Sequence, residues 1–327
     1  MPKKAMITGI AGQDGSYLAE LLLSKGYEVH GIVRRVAIED TEHKLRNIVH
    51  LLERIVLHAG SLDNVLSLIK VIRDVQPDEC YHLASSSFVS YSFDDEISIL
   101  NNNVNSTHYL LAAIKEFAPG CRFYFAGSSE MFGNVDQSPQ NEATPFNPRS
   151  IYGISKVAGF HLAKNYRTQY GLFTSMGILY NHESPRRGYE FVTRKIVSAA
   201  VKIKLGLQDH LLLGNLDAWR DWGYAPDYVQ AMWLMLQAED PGEYVIASGE
   251  THSVREFVET AFSITGLDYQ QYVRTDPQLF RPSEKVRLCG EPARARTSLD
   301  WKPTLAFKDI VRTMVESEME LHSSRKG

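Results

Sequence analysis

Tyr152-Gly153-Ile154-Ser155-Lys156 sets a phenol and an ammonium four positions apart. On a helix one turn separates them, so both stand on one face. An ammonium beside a phenol favours the phenolate and lowers the Tyr pKa. The result is a base that can take a hydroxyl proton while a hydride leaves the same carbon. The pair alone is a weak signal, and its context gives it weight. Upstream, the β-like run Arg122–Ala126 ends in Gly127-Ser128-Ser129-Glu130. Ser128 can hydrogen-bond a substrate oxygen. Reversible alcohol oxidation has no need of Glu130, whereas proton abstraction beside a newly formed ketone requires such a carboxylate. A helix N-terminal cap with a Glu in its first turn would use the same residues.

A second cluster, Gly9-Ile10-Ala11-Gly12-Gln13-Asp14-Gly15, lies between a short apolar run and a helix-length segment. Glycines there let a backbone approach a pyrophosphate whose charge the helix N-terminus stabilises. The spacing is GxxGxxG rather than GxGxxG, and the context points to a nicotinamide dinucleotide. An acid at the end of the second strand would hold a ribose 2′-hydroxyl. Arg34-Arg35 stands there instead, and guanidinium pairs with a 2′-phosphate. NADP is therefore expected over NAD, with two solvated loop arginines as the alternative.

These groups need elements to hold them. Ala5–Ile7, Tyr27–Val33, Arg54–His58, Glu79–Leu83, Arg122–Ala126 and Phe173–Leu179 read as strands. Between them, Tyr17–Lys25, Asp63–Val75, Asn105–Phe117 and Tyr152–Tyr170 read as helices. Repeated strand–helix–strand units predict a doubly wound parallel Rossmann sheet, an α/β fold with ligands at the carboxyl ends of its strands. After about residue 180 the texture changes to basic, Pro- and Gly-containing loops with short helices at Val192–Leu205 and Ser253–Thr265. That half is expected to be a smaller α+β substrate-binding cap. The division is 1–180 with a return segment near 224–250 for the Rossmann domain, and 181–223 with 251–327 for the cap.

Composition narrows the partners. The formal charge of -4 argues against a nucleic-acid or anionic-membrane partner. No run approaches the ~18 apolar residues of a membrane span. Cys80, Cys121 and Cys289 are odd in number and far apart, which argues against disulfides or a cysteine metal site; no metal is expected. A cytoplasmic protein is the expectation. The net charge hides a local group: Arg186-Arg187, Arg194-Lys195, Arg220 and Arg281 all fall in the cap half. Together they suit a diphosphate. Trp219 and Trp222 stay open between stacking on a base and packing in the core.

At this point the chain resembles an extended short-chain dehydrogenase/reductase, and within that group the GDP-mannose 4,6-dehydratase family. The matching stretches are Gly9–Glu20, Gly31–Arg35, Ser128–Gly133, Pro148–Lys156, Gly177–Gly188, Phe191–Ile196, Gly214–Asp217 with Arg220–Gly223, and Ala247–Val258. They cover nearly the whole chain. The resemblance implies an internal redox lyase reaction on a GDP-sugar, giving a 4-keto-6-deoxy sugar in nucleotide-sugar biosynthesis. Ser128, Glu130, Tyr152 and Lys156 take the catalytic positions, Ser128 standing where the family has Thr. Cofactor contact falls on Gly9, Gly12, Gln13, Asp14, Gly15, Arg34, Arg35, Ser61, Leu62, Leu83, Ser85, Ser87, Tyr152, Lys156, His182 and Arg187. Substrate contact falls on Asn181, Lys195, Arg220, Arg281 and Glu284. A homodimer or homotetramer is implied, with Asn105–Phe117 and Tyr152–Tyr170 as candidate interface helices. A manno-heptose dehydratase, a 4-keto sugar reductase or epimerase, and a non-catalytic dinucleotide sensor are the alternatives.

Overall fold

The computed structural model describes residues 1–85, 95–279 and 287–323. The chain first runs through β1 (Lys4–Thr8), α1 (Gln13–Ser24), β2 (Glu28–Val33), α2 (Arg35–Glu39), α3 (Thr41–Lys44) and β3 (Ile55–Ala59). It continues with α4 (Val65–Val75), β4 (Glu79–His82), α5 (Glu96–Phe117), β5 (Arg122–Ala126), α6 (Ile151–Tyr170) and β6 (Thr174–Leu179). The second half holds β7 (Asn181–Glu183), α7 (Val192–Lys204), β8 (Leu211–Leu213), β9 (Trp219–Arg220), β10 (Trp222–Tyr224), α8 (Ala225–Gln237) and β11 (Glu243–Ile246). It ends with β12 (His252–Ser253), α9 (Val254–Thr265), β13 (Val273–Thr275), α10 (Ala293–Leu299) and α11 (Phe307–Ser323).

Seven parallel strands form the central sheet, in the order β11-β6-β5-β4-β1-β2-β3. The order reverses at β1 beside β4, so loops of opposite hand diverge there and leave a crevice. Parallel strands covered on both faces carry apolar side chains both ways. Accordingly every residue of β6, Thr-Ser-Met-Gly-Ile-Leu, is buried. α1, α8 and α10 pack one face around Leu18, Leu22, Met232 and Trp301. α4, α5 and α6 pack the other around Leu111, Phe123, Phe125 and Phe160. A separate core of Ile196, Trp222, Phe257, Phe262 and Met314 joins α7, α9 and α11. The smaller cap is therefore built around its own interior, while α10, late in the chain, packs back on β11 and α8.

Local chemistry sets the helix ends. Ser150 Oγ accepts from the Gly153 amide at 3.1 Å, and Gly171 closes α6 at φ +69°. In α9, Ser253 and Glu256 cap each other reciprocally. α5 begins at Glu96 rather than at Asn105. The Asn-rich tract that makes poor isolated helix is held by tertiary contact, with Asn103 buried and donating to Ser155 Oγ at 3.0 Å. Among the described residues no helix is long and apolar enough to cross a membrane.

Candidate active site

A cleft of about 1680 Å³ opens over the carboxyl ends of the sheet strands, walled on its far side by the cap. Its floor is the glycine turn. The Gly12 amide donates to Gly9 O at 3.0 Å, and Gly9 adopts φ +77°. A Cβ at Gly15 would lie 2.2 Å from Gly9 O, so any side chain there breaks the turn. Gly12 is the N-cap of α1 and supplies no side-chain cap, which leaves the helix amides open to an anion. The cradle that a pyrophosphate requires is thus present in the backbone.

Beside it, Asp14 reaches His182 across the cleft. Asp14 Oδ2 lies 2.8 Å from His182 Nε2, while His182 Nδ1 lies 2.7 Å from Tyr180 O. Both ring nitrogens face acceptors, so both carry protons and the ring is an imidazolium. In keeping with that, the pair's attraction outweighs burial, holding His182 above its usual value and Asp14 below its own. Tyr228 stacks on the ring at 4.4 Å between centroids. Gln13 completes the link, donating to His182 O at 3.1 Å and accepting from Ser184 Oγ at 2.8 Å.

The catalytic corner lies where β5 ends. Ser128 caps the short helical turn Ser129–Met131, its Oγ accepting from the Glu130 amide at 3.2 Å. The capping interpretation and the catalytic one therefore coexist on the same serine. The buried Tyr152 hydroxyl shares hydrogen bonds with Ser128 and Ser85, close enough to Glu130 for its charge to act on the phenol. Lys156 Nζ donates to Ala126 O at 2.9 Å and stands 5.6 Å from the Tyr152 ring centroid. The expectation of a lowered phenol pKa is overturned. Burial pushes Tyr152 up to about 12, against the hydrogen bond from Ser128 and the charge of Arg187. The same burial pushes the Lys156 ammonium down to about 8.

A buried chain of polar groups supports this corner from below. Thr8 Oγ1 accepts from the Leu83 and Ala84 amides at 3.2 and 3.1 Å, and so must donate its own proton to His82 Nδ1 at 2.8 Å. His82 is then the neutral Nε2–H tautomer, facing Thr107 Oγ1 at 3.2 Å, and burial holds its pKa near 3. Thr107 returns to Asn103 O at 2.9 Å, and Asn103 leads through Ser155 to Tyr152 O.

The sequence-predicted residues mostly converge. Gly9, Gly12, Gln13, Asp14, Gly15, Arg34, Ser61, Leu62, Leu83, Ser85, Ser128, Glu130, Tyr152, Lys156, Asn181, His182, Arg187, Lys195 and Arg220 all line the cleft. Arg35 does not: it opens α2, exposed and off the cleft wall. Nor does Arg194, which is buried in the cap and paired with Glu318. Ser87, Arg281 and Glu284 lie outside the described residues. Trp222 is resolved as core, packed on Phe257 at 5.3 Å. Three cations of the cleft wall, Lys44, Arg46 and Arg287, are not among the sequence-predicted residues. For the first two, their position just past the second strand was an available signal; for Arg287 there was none.

A parallel sheet with a glycine turn at its switch point, and Tyr152 and Lys156 on α6 beside the end of β5, define a Rossmann-type dinucleotide scaffold of the short-chain dehydrogenase kind. Solved structures agree on the fold: dTDP-glucose 4,6-dehydratase of Bacillus anthracis in complex with NAD superposes with a TM-score of 0.84 at 20% identity, covering 98% of each chain. RMD from Pseudomonas aeruginosa complexed with NADPH gives 0.81 at 23% identity, over 98% of this chain and 99% of that one. The profile of the family described as GDP-mannose 4,6 dehydratase matches residues 6–314. GDP-mannose 4,6 dehydratase 1 of Arabidopsis thaliana is 45% identical over 99% of this chain and 92% of that protein. The chain belongs to the GDP-mannose 4,6-dehydratase family.

Proposed function

We propose that this chain is a lyase that converts GDP-mannose to GDP-4-keto-6-deoxy-mannose by internal oxidation, loss of water and reduction. The observation that carries this reading is Glu130 beside Tyr152 on one wall of the cleft. Oxidation alone would leave that carboxylate without work. The chemistry a bound nicotinamide supplies is reversible hydride storage between C4 and C6 of the sugar. Tyr152 takes the C4 hydroxyl proton, and Ser128 holds the same oxygen. Lys156, charged below about pH 8, steadies the phenolate that this demands. The 4-ketone acidifies C5–H; Glu130 accepts that proton and delivers it to the departing C6 hydroxyl, which leaves as water. Tyr152 releases the C4 hydroxyl proton to solvent and Glu130 regains one from it, so the same carboxyl can protonate C5 as C6 is reduced and close the cycle.

The glycine turn, Asp14, His182 and Ser85 fit a nicotinamide dinucleotide, and structural relatives are solved with NADPH and with NAD. NADP is the favoured form, because β2 runs into Arg34 and the wall beyond adds Lys44 and Arg46. Lys195 and Arg220 are assigned to the GDP-sugar's diphosphate, and Asn181 to its sugar side. The two-part division carries over with α10 on the Rossmann side. A homodimer is proposed through the outward groove between α5 and α6, lined by Val104, Ala158 and Leu162. Cys80, Cys121 and Cys289 are unbridged, which suits the cytoplasm. Incubation with GDP-mannose and catalytic NADP, read by mass spectrometry, tests the reaction: a product lighter by one water is expected. No such product from GDP-mannose would overturn it.

A further inference from the structure

We propose that Arg287, carried on the Trp219 indole, is a further phosphate-binding residue of the cleft. This rests on the GDP-sugar reading and adds to it a residue that the family resemblance did not supply. The Arg287 guanidinium carbon lies 3.6 Å from the Trp219 ring centroid, and Arg287 lines the same cleft as Lys195 and Arg220. A guanidinium stacked by its face on an aromatic ring keeps its N–H donors free at its edge, where a phosphate accepts two of them in parallel. Among the described residues Arg287 forms no ion pair. Asp217, a carboxylate of the same cleft, is paired with Arg255, at 2.9 and 3.1 Å. The stack also decides how Trp219 is used: the face that Arg287 covers is unavailable to a base.

Both halves of this device are held rigidly. Trp219 sits in β9, which pairs with β12 and runs directly into Asp221. Asp221 is fully buried and accepts from Ser248 N and Oγ at 2.8 and 2.7 Å, from Gly249 N at 3.1 Å and from Gly290 N at 3.1 Å. The segment that follows Arg287 is therefore tied to the segment that follows Trp219 through one carboxylate. Gln140, also fully buried, holds the other side. Its Oε1 accepts from the Cys289 amide at 3.0 Å, and its Nε2 donates to Arg287 O at 3.4 Å. Such fixed geometry is what bidentate phosphate recognition needs.

Calorimetric titration of the full chain with GDP and with guanosine tests the assignment. Arg287→Ala is expected to weaken GDP binding about tenfold or more while leaving guanosine within about twofold. Trp219→Leu, which removes the platform and keeps the charge, should give a smaller loss of the same selectivity. Trp219→Phe should restore most of it. Unchanged GDP affinity in Arg287→Ala would overturn the proposal alone, as would an equal loss for guanosine. Failure of the wild-type chain to bind GDP would overturn it together with the GDP-sugar reading.

Discussion

Ser128, Tyr152 and Lys156 meet Lys195, Arg220 and Arg287 across one cleft, and the two groups are built on different terms. The first group is fixed at strand and helix ends, with Tyr152 8% and Lys156 5% exposed. Its polar atoms are already paired with backbone or with one another. The second is a rim of cations on the cap, Lys195 in the first turn of α7, Arg220 on the short β9 and Arg287 in a loop, with Lys195 and Arg287 exposed. Burial gives the corner shifted proton affinities and strict geometry. The rim acts by attraction on the phosphates. The corner should therefore govern the chemical step and the rim the binding of the diphosphate, a division that kinetics can separate.

Tyr152→Phe attacks the corner most directly. Turnover is expected to fall about 10³- to 10⁴-fold with GDP affinity held within about twofold. A matching collapse of GDP binding would mean that the two regions are not separable. Glu130→Gln should cost about 10²- to 10³-fold and change the product profile as well. Solvent-deuterium exchange at C5 should disappear, because its carrier is gone. For the rim, Lys195→Ala is expected to raise KM about tenfold with kcat nearly unchanged.

Lys156 offers a subtler test. Its pKa is depressed from 10.5 to about 8, so below pH 8 the folded state bears the cost of a buried ammonium that the unfolded chain does not. Between about pH 8 and 10.5 the unfolded chain binds the extra proton, and this penalty fades as pH rises. Activity should fall as pH rises through about 8, where the folded state loses this ammonium. Lys156→Met should abolish turnover yet raise unfolding stability at pH 7, on the order of 2 kcal/mol. Turnover assays check the first and urea titrations at pH 7 and pH 10 the second; a destabilised variant at pH 7 would show that the Ala126 hydrogen bond outweighs desolvation.

What was legible in the sequence was what lies within a few residues. Gly9 to Gly15 and Tyr152 to Lys156 are contiguous, and their backbone consequences follow from residue type and spacing. The alternation of strands and helices likewise gives the sheet and the end at which the site lies. Pairings made only in space were not legible. Asp14 and His182 are 168 residues apart, and the charge on that imidazole follows from a carbonyl and a carboxylate that meet only when folded. The phenol pKa is illegible for the same reason, since it follows from Tyr152's burial in the folded chain. Arg35 and Arg34 look alike as neighbours, but the turn into α2 sends only one toward the cleft.

The sheet's last strand, β11, is supplied by Glu243–Ile246, after the chain has already left to build much of the cap. During synthesis, β6 must therefore wait with one edge unpaired while some sixty further residues emerge. Its hydrophobic face is covered only when α8 and β11 arrive. The catalytic residues up to Lys156 are translated early, but the platform beneath them closes late. A ribosome-bound fragment ending near residue 200 would then carry every catalytic side chain and still be a client for chaperones rather than an enzyme.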